Sequence, residues 1–226
     1  MSNELLWLIF ALTNFLMVIL IYRIFGKNGL IVWIGMSTVL ANMQVLKTVE
    51  LFGVIATLGN ILYGTIFLAT DIINEKYGKA EARKAVWLGF YTLVTMTIVM
   101  QFALLFQPHE SDVAHEALSD IFNLVPQVAV GSLLAYIVSQ NIDVVIFAKL
   151  KEKFAGTKFL WVRNNLSTMI SQLIDTTIFS VIAFWHFLTT DISVWLSIFI
   201  STYVIKFLVS ALDTPFMYLA KKIHKQ

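Results

Sequence analysis

Cysteine is absent from this 226-residue chain, which excludes disulfides and thiolate metal centres. Charge is scarce too: Asp, Glu, Lys and Arg make up 13% of the residues, about half of the ~25% usual in soluble domains. The four histidines (His109, His115, His186 and His224) lack the spacing of a metal-ligand set. There is no His-Glu-x-x-His, no Gly-x-Ser-x-Gly and no P-loop, so zinc-dependent hydrolysis, a serine nucleophile turn and P-loop ATP hydrolysis all lack their residues. An enzyme is therefore not expected, nor a metal or a cofactor. Apolar residues are what the chain has in excess, at 58%, with a mean hydropathy of +0.80. A soluble core in so short a chain cannot hide that surface; a bilayer can.

A helix crosses the hydrocarbon layer with about 20 apolar residues, and seven stretches approach that length: about 5–22, 29–46, 51–70, 86–106, 126–148, 165–188 and 193–219. The expected fold is an all-α, polytopic membrane bundle forming a single transmembrane domain over 1–226. Seven helices are expected, or six if the first two form one broken or re-entrant unit. Glu4 stands where a signal peptide carries basic residues, and no small-residue cleavage site follows, so the first stretch reads as a retained helix. Every second loop is basic: Arg23 and Lys27; Lys76, Lys79, Arg83 and Lys84; Lys149, Lys151, Lys153, Lys158 and Arg163; and finally Lys221, Lys222 and Lys225. Glu50, Glu110, Asp112, Glu116, Asp120 and Asp191 mark the alternate loops, with Lys47 their single base. The positive-inside rule then puts the C-terminus in the cytoplasm and the N-terminus outside. Trp7, Trp33, Trp87, Trp161, Trp185 and Trp195 fall mostly near predicted helix ends, as an interfacial belt requires, and His186 joins it between Trp185 and Phe187. Segment 107–125 reads as an amphipathic surface connector, with a lid over an entrance as the sharper alternative, and basic segment 72–85 as another interfacial helix.

Charges deep in a bilayer cost at least about 2.5–3.5 kcal/mol, so they face an interior and take partners. Asp175 and Lys206 fall near mid-depth on consecutive antiparallel helices, which predicts an ion pair from depth alone; a pair that only locks two helices is the plainer alternative. Gln172, Asp175, Thr176 and Phe179 share one helix face, and Tyr136, Gln140 and Asp143 form a second stripe with Asn141 nearby. Asp213 lies two turns from Lys206 on the same face, and Asp71 ends the third helix. Asn42, Gln44 and Asn60 add neutral donors and acceptors. Any one of these taken alone fits an interhelical hydrogen bond. Several stripes that all require an interior point to a cavity.

Four segments carry a family resemblance: Phe67-Leu68-Ala69-Thr70-Asp71 with Gly78 and Ala82-Arg83; Ser139-Gln140-Asn141-Ile142-Asp143 with Phe147; Ser167-Thr168 and Ser171-Gln172-Leu173-Ile174-Asp175-Thr176, running into Ile182-Ala183-Phe184-Trp185; and Tyr203 with Lys206 and Asp213-Thr214-Pro215. In this order the chain resembles the queuosine precursor transporter family, grouped with vitamin-uptake transporters. The resemblance implies a bacterial inner-membrane importer of 7-deazaguanines, preQ0 or preQ1, salvaged for tRNA modification, with the bilayer as its surroundings and no nucleic-acid partner. It implies a substrate site drawn from Asp71, Tyr136, Gln140, Asp143, Gln172, Asp175, Lys206 and Asp213. A guanine-like edge offers two parallel N–H donors that one carboxylate can accept, and Asp175 is the first candidate, before Asp143 or Asp71. Gln140, Gln172 and Lys206 would read the ring acceptors, and Tyr136, Phe179 or Tyr203 would stack. Energy coupling, homo-oligomerisation, a substrate-binding subunit docked to an ATP-driven energy-coupling module, and a non-transporting assembly factor all stay open. Vitamin-binding subunits dock through an Ala-x-x-x-Ala face on the first helix; here Ala11 is followed by Phe15, which favours a stand-alone carrier.

Overall fold

Apolar side chains cover the outside of the helices while polar ones fill the centre. Leu16, Leu20, Phe25, Val32, Tyr91 and Phe102 are among the large exposed residues, whereas Asp71, Asp143, Asp175, Lys206 and Asp213 are buried. In water that surface would associate; against acyl chains it costs nothing. The computed structural model describes residues 2–45, 47–123 and 126–223, so Leu46, residues 124–125 of the acidic loop and His224 and Lys225 of the basic tail lie outside the described residues. Its helices are α1 (Asn3–Gln44), α2 (Gly59–Tyr77), α3 (Lys79–Leu104), α4 (His115–Phe122), α5 (Pro126–Lys153), α6 (Leu160–Ala183), α7 (Trp185–Thr190) and α8 (Ile192–Lys222). Five segments are long and apolar enough to cross a membrane by length and composition: Asn3–Gln44, Lys79–Leu104, Val130–Lys153, Thr157–Ala183 and Ile192–Lys222. The protein is an all-α membrane bundle with, among the described residues, one small β-hairpin.

α1 is not one rod. A straight 42-residue helix would be about 63 Å long, yet the Asn3 amide donates to the Glu50 carbonyl at 3.2 Å and Trp7 packs edge-on to Phe52 at 6.2 Å. The reversal lies at Gly26, whose φ of 57° and ψ of −141° suit only a residue without a Cβ. Just beyond it, a Cβ on Gly29 would fall 2.5 Å from the Ile21 carbonyl oxygen. Two limbs, 3–25 and 27–44, thus fold back on each other.

The expected third span started too early. Residues 51–57 belong to a hairpin of β1 (Thr48–Leu51) and β2 (Val54–Thr57), paired antiparallel with Leu51 opposite Val54. Phe52 and Gly53 turn it with φ of 52° and 78°, the pair of positive values that a two-residue type I′ loop demands. The helix proper, α2, is 19 residues long and is buried on nearly every side. Its composition reflects that position: Asn60, Thr65, Thr70, Asp71 and Asn74 are buried in it, which is why it lacks the hydropathy of its neighbours. Segment 72–85 is likewise not a separate interfacial helix. α2 runs on to Tyr77, Gly78 breaks the chain at φ 91°, and α3 begins at once.

α2 and α8 approach closely at Gly64, where an added Cβ would lie 2.3 Å from Val209 Cγ1. Small residues permit such contacts in membranes. Gly64→Ala should lower the unfolding midpoint in detergent, overpacking costing about 1–3 kcal/mol, and Val209→Ala in the same chain should recover most of the loss.

All four basic segments meet at one end of the bundle. Lys27 pairs with Glu81 at 2.7 Å, and Lys151, Arg163 and Lys221 all reach Glu75. At the opposite, acidic end the Gln101 amide donates to the Phe122 carbonyl at 2.6 Å, tying α4 to α3. Segment 107–125 contains the short helix α4, and Val113, just ahead of it, is almost fully exposed.

Candidate functional site

α6 supplies a polar spine. Asn164, Thr168, Ser171 and Asp175 recur at intervals of four, three and four residues, so they share one face, and all are buried. Each meets a carboxylate or an ammonium from another helix. The Asn164 amide donates to Asp213 Oδ1 at 2.6 Å, Thr168 to Asp71 Oδ2 at 3.4 Å and Ser171 to Asp143 Oδ1 at 2.8 Å. Asp175 and Lys206 form the ion pair that depth predicted.

Around that pair the expectation needs amending. Asp175 Oδ1 accepts from Tyr63 Oη at 2.5 Å and from Ser139 Oγ at 3.0 Å, while Oδ2 accepts from Lys206 Nζ. Both oxygens are engaged, so this carboxylate is not free to take a bidentate edge in the conformation seen here. Lys206 also sits 5.0 Å from the Tyr63 ring centroid. Tyr63 is thus an aromatic side chain in direct contact with the ion pair. Of the three aromatics proposed to stack, Phe179 packs on Phe184 at 5.8 Å and Tyr203 donates to the Met169 carbonyl at 3.3 Å, while Tyr136 lies 6.4 Å from Tyr63, centroid to centroid.

Open hydrogen-bonding capacity lies towards the basic end. Gln140 and Gln172, both buried, make no side-chain hydrogen bond at either terminal atom, and one oxygen each of Asp71, Asp143 and Asp213 is similarly unpartnered. Asp71, Asp143 and Asp213 lie close enough together for their charges to act on one another. Two carboxyl groups at that range repel unless a proton or a bridging donor stands between them. An edge with two adjacent N–H groups is such a donor. All eight residues expected at the site are buried in the core: Asp175 and Lys206 pair directly, Tyr136 reaches them through Tyr63, and Asp71 and Asp143 form a second group with Asp213. Among the described residues no group of three His, Asp or Glu is arranged to hold a metal ion.

Two features escaped the sequence reading. Tyr63 and the hydroxyls of Ser139, Thr168 and Ser171 are neutral residues whose importance lies in their partners; the recurrence of small polar residues along α6 was the available signal. The other is Glu75 on α2, 8% exposed at its side chain. Its Oε1 accepts from Arg163 at 3.0 Å and Lys221 at 2.7 Å, and Lys151 stands 3.7 Å from Oε2. Arg163 is itself buried and also donates to the Phe154 and Gly156 carbonyls. One carboxylate thereby ties α2, α5, α6 and α8 together at the basic end. A cavity of about 600 Å³ lies at the other end, bordered by Asn42, Leu93, Thr97, Gln101, Asn123 and Leu133 among others, and none of the eight residues lines it.

A lipid-facing helix bundle with a buried polar column, closed at one end and hollow at the other, has the architecture of a multi-pass membrane transporter. The sequence comparisons give the same class. Residues 57–220 match the family described as "Putative vitamin uptake transporter", and the chain belongs to that family. A "Probable queuosine precursor transporter" of Bacillus subtilis (strain 168) is 56% identical over 223 residues, covering 99% of this chain and 96% of that protein. The "Queuosine precursor transporter" of Escherichia coli (strain K12) is 26% identical over 174 residues, 75% of this chain and 74% of that protein. No solved structure matches.

Proposed function

We propose that this chain imports queuosine precursors, the 7-deazaguanines preQ0 and preQ1, across the bacterial cell membrane. The observation that carries this is the near-complete alignment, at 56% identity, with the Bacillus subtilis transporter. The buried polar column supports it, because a polar heteroaromatic solute needs partners at every depth.

In this reading the chain crosses the membrane seven times. The reversal at Gly26 supports counting α1 as two spans, and α2, with 19 residues, falls within the range of about 17–25 used by membrane-spanning helices. The basic end faces the cytoplasm and the acidic end faces outward. The substrate's N–H edge is received by Asp143 and Asp71, flanked by Gln140, Gln172 and Asp213. It reaches Asp175 only by displacing Lys206 and Tyr63, whose donors stand where its own would go, with Tyr136 beside the path. The carrier acts alone: Ala11 and Phe15 on the first limb are buried inside the bundle, Phe15 against Phe216 at 5.1 Å, so the chain itself occupies the face that would dock an energy-coupling module.

The test is salvage. In bacteria unable to make queuosine precursors and lacking their own importer, expression of this chain with limiting preQ0 or preQ1 should restore queuosine in tRNA. Absence of queuosine at every precursor concentration, with the protein present in the membrane, would sink the reading.

A further inference from the structure

We propose that the cavity of about 600 Å³ at the acidic end is an outer reception site for a flat, uncharged heteroaromatic base, separated from the Asp175–Lys206 pair by Tyr136. The proposal rests on the importer reading above and adds to it a second binding site on the same path.

The lining carries the argument for the ligand class. Asn42, Gln101 and Asn123 bring amides and Thr97 a hydroxyl, while Met43 and Met96 contribute thioethers. No Asp, Glu, Lys or Arg is among the described lining residues, so an ion would find no counter-charge from them. An amide presents a donor and an acceptor side by side, complementary to a ring lactam or an aminopyrimidine edge. Methionine adapts its shape to an aromatic face and makes favourable sulfur contacts with it. The volume falls inside the range of about 300–1,000 Å³ usual for small-molecule sites.

The inner boundary carries the argument for the partition. Leu93 and Leu133 line the cavity, and one turn further inward on the same helix faces lie Gly89 and Tyr136. A Cβ on Gly89 would stand 2.2 Å from the Tyr136 hydroxyl and 2.8 Å from Ile34 Cγ2, so the phenol rests in a notch that only glycine leaves open. The Tyr136 hydroxyl donates to the Val86 carbonyl across a long 3.3 Å, a weak tether. On its inner side the ring faces Tyr63, which donates to Asp175. Rotating Tyr136 out of the notch joins the two compartments.

The chain has no native cysteine, so single introduced thiols report without background. In nanodiscs holding the full chain, Thr97→Cys should react with a charged methanethiosulfonate reagent, and the uncharged preQ0 at ten times its Kd should slow that reaction about tenfold by occupancy. The protection should survive Asp175→Asn, which separates the outer site from the inner one. Thr176→Cys, beyond the partition, should resist the reagent until Gly89→Ala displaces Tyr136. Thr97→Cys left unprotected by preQ0 in a protein that imports preQ0 normally overturns the reception site alone, as does protection that vanishes with Asp175→Asn. A Thr176→Cys thiol that reacts equally with and without Gly89→Ala overturns the partition. If the unaltered protein imports neither preQ0 nor preQ1, the importer reading falls, and the ligand class named here falls with it.

Discussion

Lys206→Met should lower precursor uptake by about two orders of magnitude, the equivalent of losing one charged contact worth about 3 kcal/mol. The same change should lower the unfolding midpoint in detergent. Among the described residues Lys206 is the only cation paired with Asp175; without it, that buried carboxylate keeps the Tyr63 and Ser139 hydroxyls as its described partners. Removing one partner of a buried pair leaves an uncompensated charge, at a cost of about 3–5 kcal/mol. The informative variant is the double one. Lys206→Met with Asp175→Asn removes both charges, and neutral replacements for buried pairs are often no less stable than the originals. Stability should therefore return while uptake stays low. Recovery of both would mean that the pair serves only to hold α6 and α8 together, and would remove Asp175 from the transport path.

That pair was legible from the sequence because depth in a bilayer is a linear function of residue number: Asp175 stands about ten residues into the expected span 165–188 and Lys206 about a dozen into 193–219. The alternation of basic and acidic loops was legible for the same reason, and the structure gathers the basic loops at one end. Other features depended on geometry that a count of apolar residues cannot carry. Leu51, Val54 and Ile55 look like the start of a span, and the positive φ values at Phe52 and Gly53 make them part of a hairpin instead. Residues 61–69 carry almost no polar side chains, so no polar stripe marks which face of that stretch packs inward, and Tyr63 therefore passed as one more aromatic in an apolar run. Asp175 was placed correctly but given too open a role, since depth identifies a buried carboxylate without revealing that hydroxyls from α2 and α5 already occupy it.

Glu75 shows the same limit at the basic end, and it carries the second large effect. In sequence it is one acid in a basic loop, which reads as an ordinary interfacial charge. In the fold it faces three cations, one of them an arginine whose side chain is 1% exposed. Glu75→Gln leaves Lys151, Arg163 and Lys221 with no carboxylate among them, and like charges at that separation repel. The unpaired, buried Arg163 alone should cost about 3–5 kcal/mol, or roughly 10 °C in unfolding midpoint for a chain of this size. Arg163→Met in the Glu75→Gln background should recover part of that loss, because it removes the buried charge that had lost its partner. Loss of the clasp also frees α2, α5, α6 and α8 at that end, so a thiol introduced by Asn74→Cys should react with a charged reagent faster in the Glu75→Gln protein. An unchanged midpoint with unchanged labelling would mean that solvent and the neighbouring carbonyls already neutralise these cations. The closed end of the bundle would then be held by apolar packing instead.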